Sequence, residues 1–150
     1  RPDMALFKFT KAILSGEKID VYNYGEMSRD FTYIDDLVEG IRLLIDVIPS
    51  SQSSKLIKKE KNDGASPVAP FRIVNIGNSK TEKLTDFILA LEKALDRQAI
   101  KNFLPMQAGD MPVTLADTSF LKHLTGYQPN TEITNGVLNF VKWYRTYYQV

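Results

Sequence analysis

The sequence predicts an α/β fold. Two observations lead there. Short β-branched runs alternate with stretches whose apolar residues recur at helical spacing, from one end of the chain to the other. The run Phe71-Arg72-Ile73-Val74-Asn75-Ile76 is also nearly continuous in apolar character, the pattern of a strand buried on both faces of a parallel sheet. At 150 residues the chain is one domain by length, and a domain of that size buries about 70% of its extended surface.

Each element has its own signals. Pro2 and Asp3 suit a first helical turn, and Met4, Leu6, Phe7, Phe9, Ile13 and Leu14 continue it to a stop at Gly16, so a helix is expected over 2–15. Residues 19–22 alternate apolar and polar and read as a strand, followed by a loop over 23–28. Phe31, Thr32 and Tyr33 are β-formers and read as a second short strand. From Ile34 to Ile48 the apolar residues keep helical steps, with Asp35 and Asp36 at the positive end of the dipole and Pro49 as the terminator. Residues 50–70 are rich in Ser, Lys, Gly and Pro and read as a flexible, solvated insertion. After the strand at 71–76, Gly77-Asn78 turns the chain. Thr85 offers an N-cap, and Leu84 with Leu89 a hydrophobic staple, for a helix to about Asp96. A strand over 101–104, a loop over 105–112, and a short helix within 115–124 capped by Asp117 or Thr118 follow. A final helix over 134–148 gives about five helices in all.

Composition removes several classes of function. Apolar content of 43% and charged content of 25% are those of an ordinary globular protein. A net charge of +1 gives no electrostatic case for a nucleic-acid or anionic-membrane partner. With no cysteine and a single histidine, His123, thiolate and imidazole metal sites are not expected. No apolar run approaches the roughly 20 residues of a membrane span, and there is no signal-peptide pattern, so a cytoplasmic location is expected. The opening Arg1-Pro2-Asp3, without an initiating methionine, suggests a piece of something longer.

No two glycines are spaced Gly-x-Gly, so the dinucleotide fingerprint is absent. Phosphate-loop and nucleophile-elbow motifs are absent as well. Asp35 and Asp36 are adjacent, point to different helix faces, and read as helix-end charge rather than an acid–base pair. The residues left over for chemistry are loop residues that suit an anionic ligand: Arg1, Arg29, Gln107 and Asp110. A guanidinium forks onto two oxygens of a phosphate or carboxylate. Spacing leaves a second reading open, in which these are unrelated surface groups and Arg29 pairs with Asp30 or Glu26.

Five runs together narrow the choice. They are Arg1-Pro2-Asp3-Met4-Ala5; Arg29-Asp30-Phe31-Thr32-Tyr33-Ile34-Asp35-Asp36; Asn75-Ile76-Gly77-Asn78; Leu104-Pro105-Met106-Gln107-Ala108-Gly109-Asp110; and Trp143-Tyr144-Arg145 with Tyr147-Tyr148. In that order they resemble the C-terminal half of a nucleotide-sugar epimerase of the extended short-chain dehydrogenase/reductase family, and most of all its UDP-glucuronate 4-epimerase branch. The resemblance implies the substrate-binding portion of a Rossmann-type fold, with residues 1–150 as the nucleotide-sugar-binding domain. It implies that NAD is bound by an N-terminal domain absent from this chain.

The family's Tyr-x-x-x-Lys pair is missing too, so the chain is expected to hold no catalytic residue and to be inactive alone. By the same resemblance, Arg29 grips the UDP pyrophosphate, Asp110 bonds the ribose, and Asp20 and Tyr22 line the uracil. Gln107 stands where galactose-specific relatives place a phosphate-binding arginine, and Arg1 lies at the sugar end. Another epimerase, a dehydratase or a decarboxylase of the family, or a non-catalytic nucleotide-sugar-binding module, stays open at this point. A homodimeric parent is expected. The strand at 71–76, deprived of cofactor-domain neighbours, is expected to leave a sticky edge that self-pairs or swaps between chains.

Overall fold

The computed structural model describes residues 2–49 and 71–150. In chain order these form α1 (Ala5–Ser15), β1 (Lys18–Val21), a 3₁₀ turn (Tyr22–Gly25), β2 (Ser28–Asp30), α2 (Ile34–Ile45), β3 (Thr81–Lys83), α3 (Leu84–Leu95), β4 (Ile100–Phe103), α4 (Ser119–Thr125) and α5 (Ile133–Tyr148). The expected mixture of short strands and five helices is present among the described residues. They divide into two compact units, one of residues 2–31, 80–114 and 131–150, the other of the remaining described residues from 32–79 and of 115–130.

The first unit holds two strand pairs. β1 and β4 run parallel, from Lys18 opposite Ile100 to Val21 opposite Phe103. β2 and β3 run antiparallel, with Arg29 opposite Glu82. The inward positions of β1, Ile19 and Val21, meet Ala12 and Ile13 of α1, Phe87, Ile88, Leu91 and Leu95 of α3, and Val137 and Val141 of α5 in one core. Burying each of the larger of these side chains contributes about 1.5–3 kcal/mol. Thr10 is fully buried, and its hydroxyl donates to the Leu6 carbonyl at 2.7 Å, so no polar atom is stranded there. Glu92, also buried, accepts at Oε1 from Lys101 Nζ (2.7 Å) and from the Ala99 N–H (2.8 Å). These two bonds fasten the end of α3 to the start of β4.

The second unit is built on α2. Asp35 and Asp36 occupy its first turn, and Asp36 Oδ1 accepts from the Tyr127 hydroxyl at 3.0 Å. Burial first, and that bond second, push the Tyr127 phenol up to about 12. Gly40 lets α2 come close to Ile76 and to Leu121 of α4. The apolar stripe Ile34, Val38, Ile41 and Ile45 faces the other way and is about half exposed or more.

Several expectations are corrected. α1 begins at Ala5, not Pro2, because Met4 is extended. The strand near residue 31 lies earlier, at Ser28–Asp30: Phe31 instead stacks on Phe87 at 4.9 Å, and Tyr33 already caps α2. α2 ends at Ile45, short of Pro49. Thr85 is not the cap of α3. The Leu84 N–H bonds to the Met27 carbonyl at 2.8 Å, so β3 runs directly into the helix with Lys83 as its first flanking residue, and Leu84 and Leu89 are not a staple pair. The short helix, by contrast, is capped as expected: it starts at Ser119 with Thr118 in the N-cap position, and the Ser119 N–H donates to Asp117 Oδ1 at 3.0 Å. Residues 71–76 form no strand beyond a lone bridge at Arg72. β-branched side chains favour a pleated, half-buried surface, and here Phe71 and Ile73 are 55% and 64% exposed. The expected insertion at 50–70 lies outside the described residues.

Candidate functional site

Arg29 is the middle residue of β2, and β2 is held along both edges. β3 pairs with one edge. On the other, the Ser28 N–H bonds to Pro112 O (2.9 Å), and the Thr114 N–H to Ser28 O and the Asp30 N–H to Thr114 O (3.1 Å each). This clamp brings the 104–112 loop alongside Arg29. The guanidinium donates through Nη2 to Asp110 Oδ1 at 2.9 Å, and through Nη1 to the carbonyls of Ser28 (3.0 Å) and Pro112 (3.4 Å). Asp110 Oδ1 also accepts from the Met111 N–H at 2.8 Å. The two side chains are 28% and 38% exposed, so the pair is reachable from solvent.

The loop turns tightly to make this contact. The Asp110 N–H bonds to Gln107 O at 3.2 Å, and Gly109 takes φ 83°, where a side chain would be strained. Gln107, at the head of the turn, is exposed.

Two loops leave the same end of the parallel pair. The Leu104 N–H bonds to Val21 O and the Tyr24 N–H to Leu104 O, both at 3.0 Å, so the 3₁₀ turn after β1 and the loop after β4 start side by side. Loops at the C-terminal ends of parallel strands are where α/β sheets gather ligand groups. Asn23 and Tyr24 both take left-handed backbone, φ 50° and 52°, and Tyr24 is 61% exposed. Consecutive non-glycine residues in that region cost free energy that surrounding bonds must offset. Here the Asn23 amide donates to Glu26 O at 2.9 Å.

Of the residues expected in the site, Arg29 and Asp110 meet, from positions 81 apart in sequence. Gln107 is on the same turn as Asp110. Tyr22 is half-buried at the start of the 3₁₀ turn. Asp20 lies on the exposed side of β1 and is held by the Asn102 amide at 2.7 Å. Arg1 lies outside the described residues. The carbonyls of Ser28 and Pro112 and the Asn102 amide were not foreseen. Backbone acceptors leave no mark on a sequence, and Asn102 becomes Asp20's partner only through the β1–β4 register. Among the described residues no cluster of His, Cys, Asp and Glu is placed to hold a metal ion, and no helix is long and apolar enough to cross a membrane.

Residues 1–57 match the NAD dependent epimerase/dehydratase family. Over 150 residues the chain is 54% identical to an uncharacterized 37.6 kDa protein in the cld 5′ region of Escherichia coli O111:H-, covering all of this chain and 44% of that protein. It is 48% identical to a probable UDP-glucuronate 4-epimerase of Rhizobium meliloti (strain 1021), over 99% of this chain and 43% of that one. Among solved structures, the UDP-glucuronic acid 4-epimerase of Bacillus cereus in complex with NAD superposes with a TM-score of 0.74 at 27% identity, covering 99% of this chain and 40% of the other. The chain thus spans less than half the length of the curated relatives it matches. In sequence and in fold, the chain is similar to part of UDP-glucuronate 4-epimerases, and over residues 1–57 to the NAD dependent epimerase/dehydratase family.

Proposed function

We propose that this chain is the UDP-sugar-binding part of an NAD-dependent UDP-glucuronate 4-epimerase and is inactive by itself. The observation that supports it most is the meeting of Arg29 and Asp110 at 2.9 Å, between β2 and a loop far away in sequence. A diphosphate needs a planar donor fork, and a ribose needs a carboxylate that accepts from its hydroxyls. Arg29 supplies the first and Asp110 the second. Gln107 adds an uncharged amide donor for a phosphate oxygen, which leaves Arg29 with most of the charge. Tyr22 and Asp20 serve the uracil. Arg1, outside the described residues, serves the carboxylate of the sugar.

In the parent, NAD would supply the hydride chemistry at the sugar. The residues of this chain do not fit that cofactor. Its eight glycines include no Gly-x-Gly pair, so the tight turn that admits a dinucleotide pyrophosphate has no counterpart. The chain's own contribution is to grip and orient the nucleotide.

In the full-length enzyme Arg29→Ala is expected to weaken UDP-glucuronate binding by about 1.5–3 kcal/mol, the worth of hydrogen bonds to a charged group. Titration calorimetry showing unchanged affinity removes Arg29 from the site. We also propose that the parent is a homodimer and that this chain self-associates through residues 71–76. The exposure of Phe71 and Ile73 supports the second idea. Light scattering that finds a monomer at all concentrations overturns it.

A further inference from the structure

The Arg29–Asp110 pair is closed at 2.9 Å, and that has a consequence for which anions can enter. Nη2 is engaged by a carboxylate and Nη1 by two backbone carbonyls. An incoming phosphate therefore meets a guanidinium whose terminal nitrogens have partners, beside a like charge. The pair sums to zero, and Gln107 adds no cation from the same turn. Juxtaposed like charges are among the strongest means of rejecting a wrong ligand.

We infer that Asp110 is a selectivity gate on Arg29: it competes with bare phosphate for the guanidinium, and yields to a diphosphate that carries a ribose. The ribose hydroxyls give the carboxylate new donors when Arg29 turns to the diphosphate, so neither charge is left unpaired. The Met111 N–H, 2.8 Å from Oδ1, keeps the carboxylate in place through the exchange. Inorganic pyrophosphate brings no such donors. This inference rests on the proposed nucleotide-sugar site and adds its rule of admission.

The test is a two-ligand titration of the chain by ligand-observed NMR, with UDP and with inorganic pyrophosphate. Asp110→Asn is the informative variant, because the amide oxygen still accepts from Met111 while the competing charge is gone. In the unaltered chain UDP is expected to bind more tightly than pyrophosphate. In Asp110→Asn pyrophosphate is expected to bind about tenfold more tightly and UDP no better, the scale of one charge-assisted bond. The gain should vanish in the double variant with Arg29→Ala, which shows that it passes through the guanidinium. Pyrophosphate binding that is unchanged or weaker in Asp110→Asn overturns the gate and leaves the pair as a structural brace. A melting temperature within a few degrees of the unaltered chain verifies that the variant is folded. Separately, full UDP affinity in Arg29→Ala sinks the reading of the site itself.

Discussion

Replacing Glu92 by alanine tests whether one buried carboxylate secures the frame that carries the site loop. Its side chain is 4% exposed, and Oε1 takes two bonds of 2.7 and 2.8 Å, from Lys101 Nζ and from the Ala99 N–H. The alanine variant strands a backbone donor and separates Lys101, itself only 31% exposed, from its counter-charge. Removing one partner of a buried pair costs about 3–5 kcal/mol. Glu92→Gln keeps an acceptor for Ala99 and loses only the charge, so it should cost about 1–2 kcal/mol. A double change, Glu92→Leu with Lys101→Met, removes both charges and should recover the part of the loss due to the unpaired Lys101, but not the part due to the Ala99 N–H, which still lacks its acceptor. Urea unfolding followed by circular dichroism measures all three. For a chain of this size the alanine variant should melt roughly 6–20 °C lower, at about 2–4 °C per kcal/mol. A cost below about 1 kcal/mol would refute the reasoning, because it would mean that water replaces both bonds and that the carboxylate is not held in a dry site.

Tyr127 should make stability fall at high pH. Burial and Asp36 raise its folded value from the ordinary 10.0 to about 12. The unfolded chain therefore ionises first, and the contribution present below the ordinary value is lost as pH rises towards about 12. Tyr127→Phe should flatten that part of the pH–stability curve, though not all of it, since burial and then Tyr148 also raise Tyr144; an unaltered slope would show that the hydroxyl is solvated. Gly25→Ala should destabilise by about 1–3 kcal/mol. Gly25 has φ 89°, and a Cβ there would stand 3.0 Å from Thr85 Cγ2. Thermal melts decide it, and a gain of about 0.4–1 kcal/mol, usual for glycine to alanine where the backbone allows it, would be the contrary result.

Helical elements were legible in the sequence because periodicity reports which face is buried. The stripe from Ile34 to Ile45 identified α2, although it faces away from Gly40's contacts, because spacing does not say what covers it. Strands were harder to place. β1 and β4 were placed to within a residue, each marked by its own β-formers. β3 was missed, since Thr81-Glu82-Lys83 has no apolar pattern and is a strand only because β2 lies beside it. β2 was shifted for a related reason: the β-formers Phe31 to Tyr33 serve the core and a helix start, while Ser28-Arg29-Asp30 pair on both edges. Within the site, the resemblance supplied Arg29 and Asp110 as separate residues. That they bond each other depends on the clamp between Pro112, Thr114 and β2, a tertiary fact with no local signature.

The left-handed pair Asn23–Tyr24 bears on the order in which this chain assembles. A peptide containing only those residues and their neighbours would abandon that geometry, since one of the bonds that sustain it comes from Leu104, on the far side of the sequence. The turn therefore has to wait for β1 and β4 to zip together. It is expected to open as soon as the end of β4 frays and the Tyr24 N–H loses the Leu104 carbonyl.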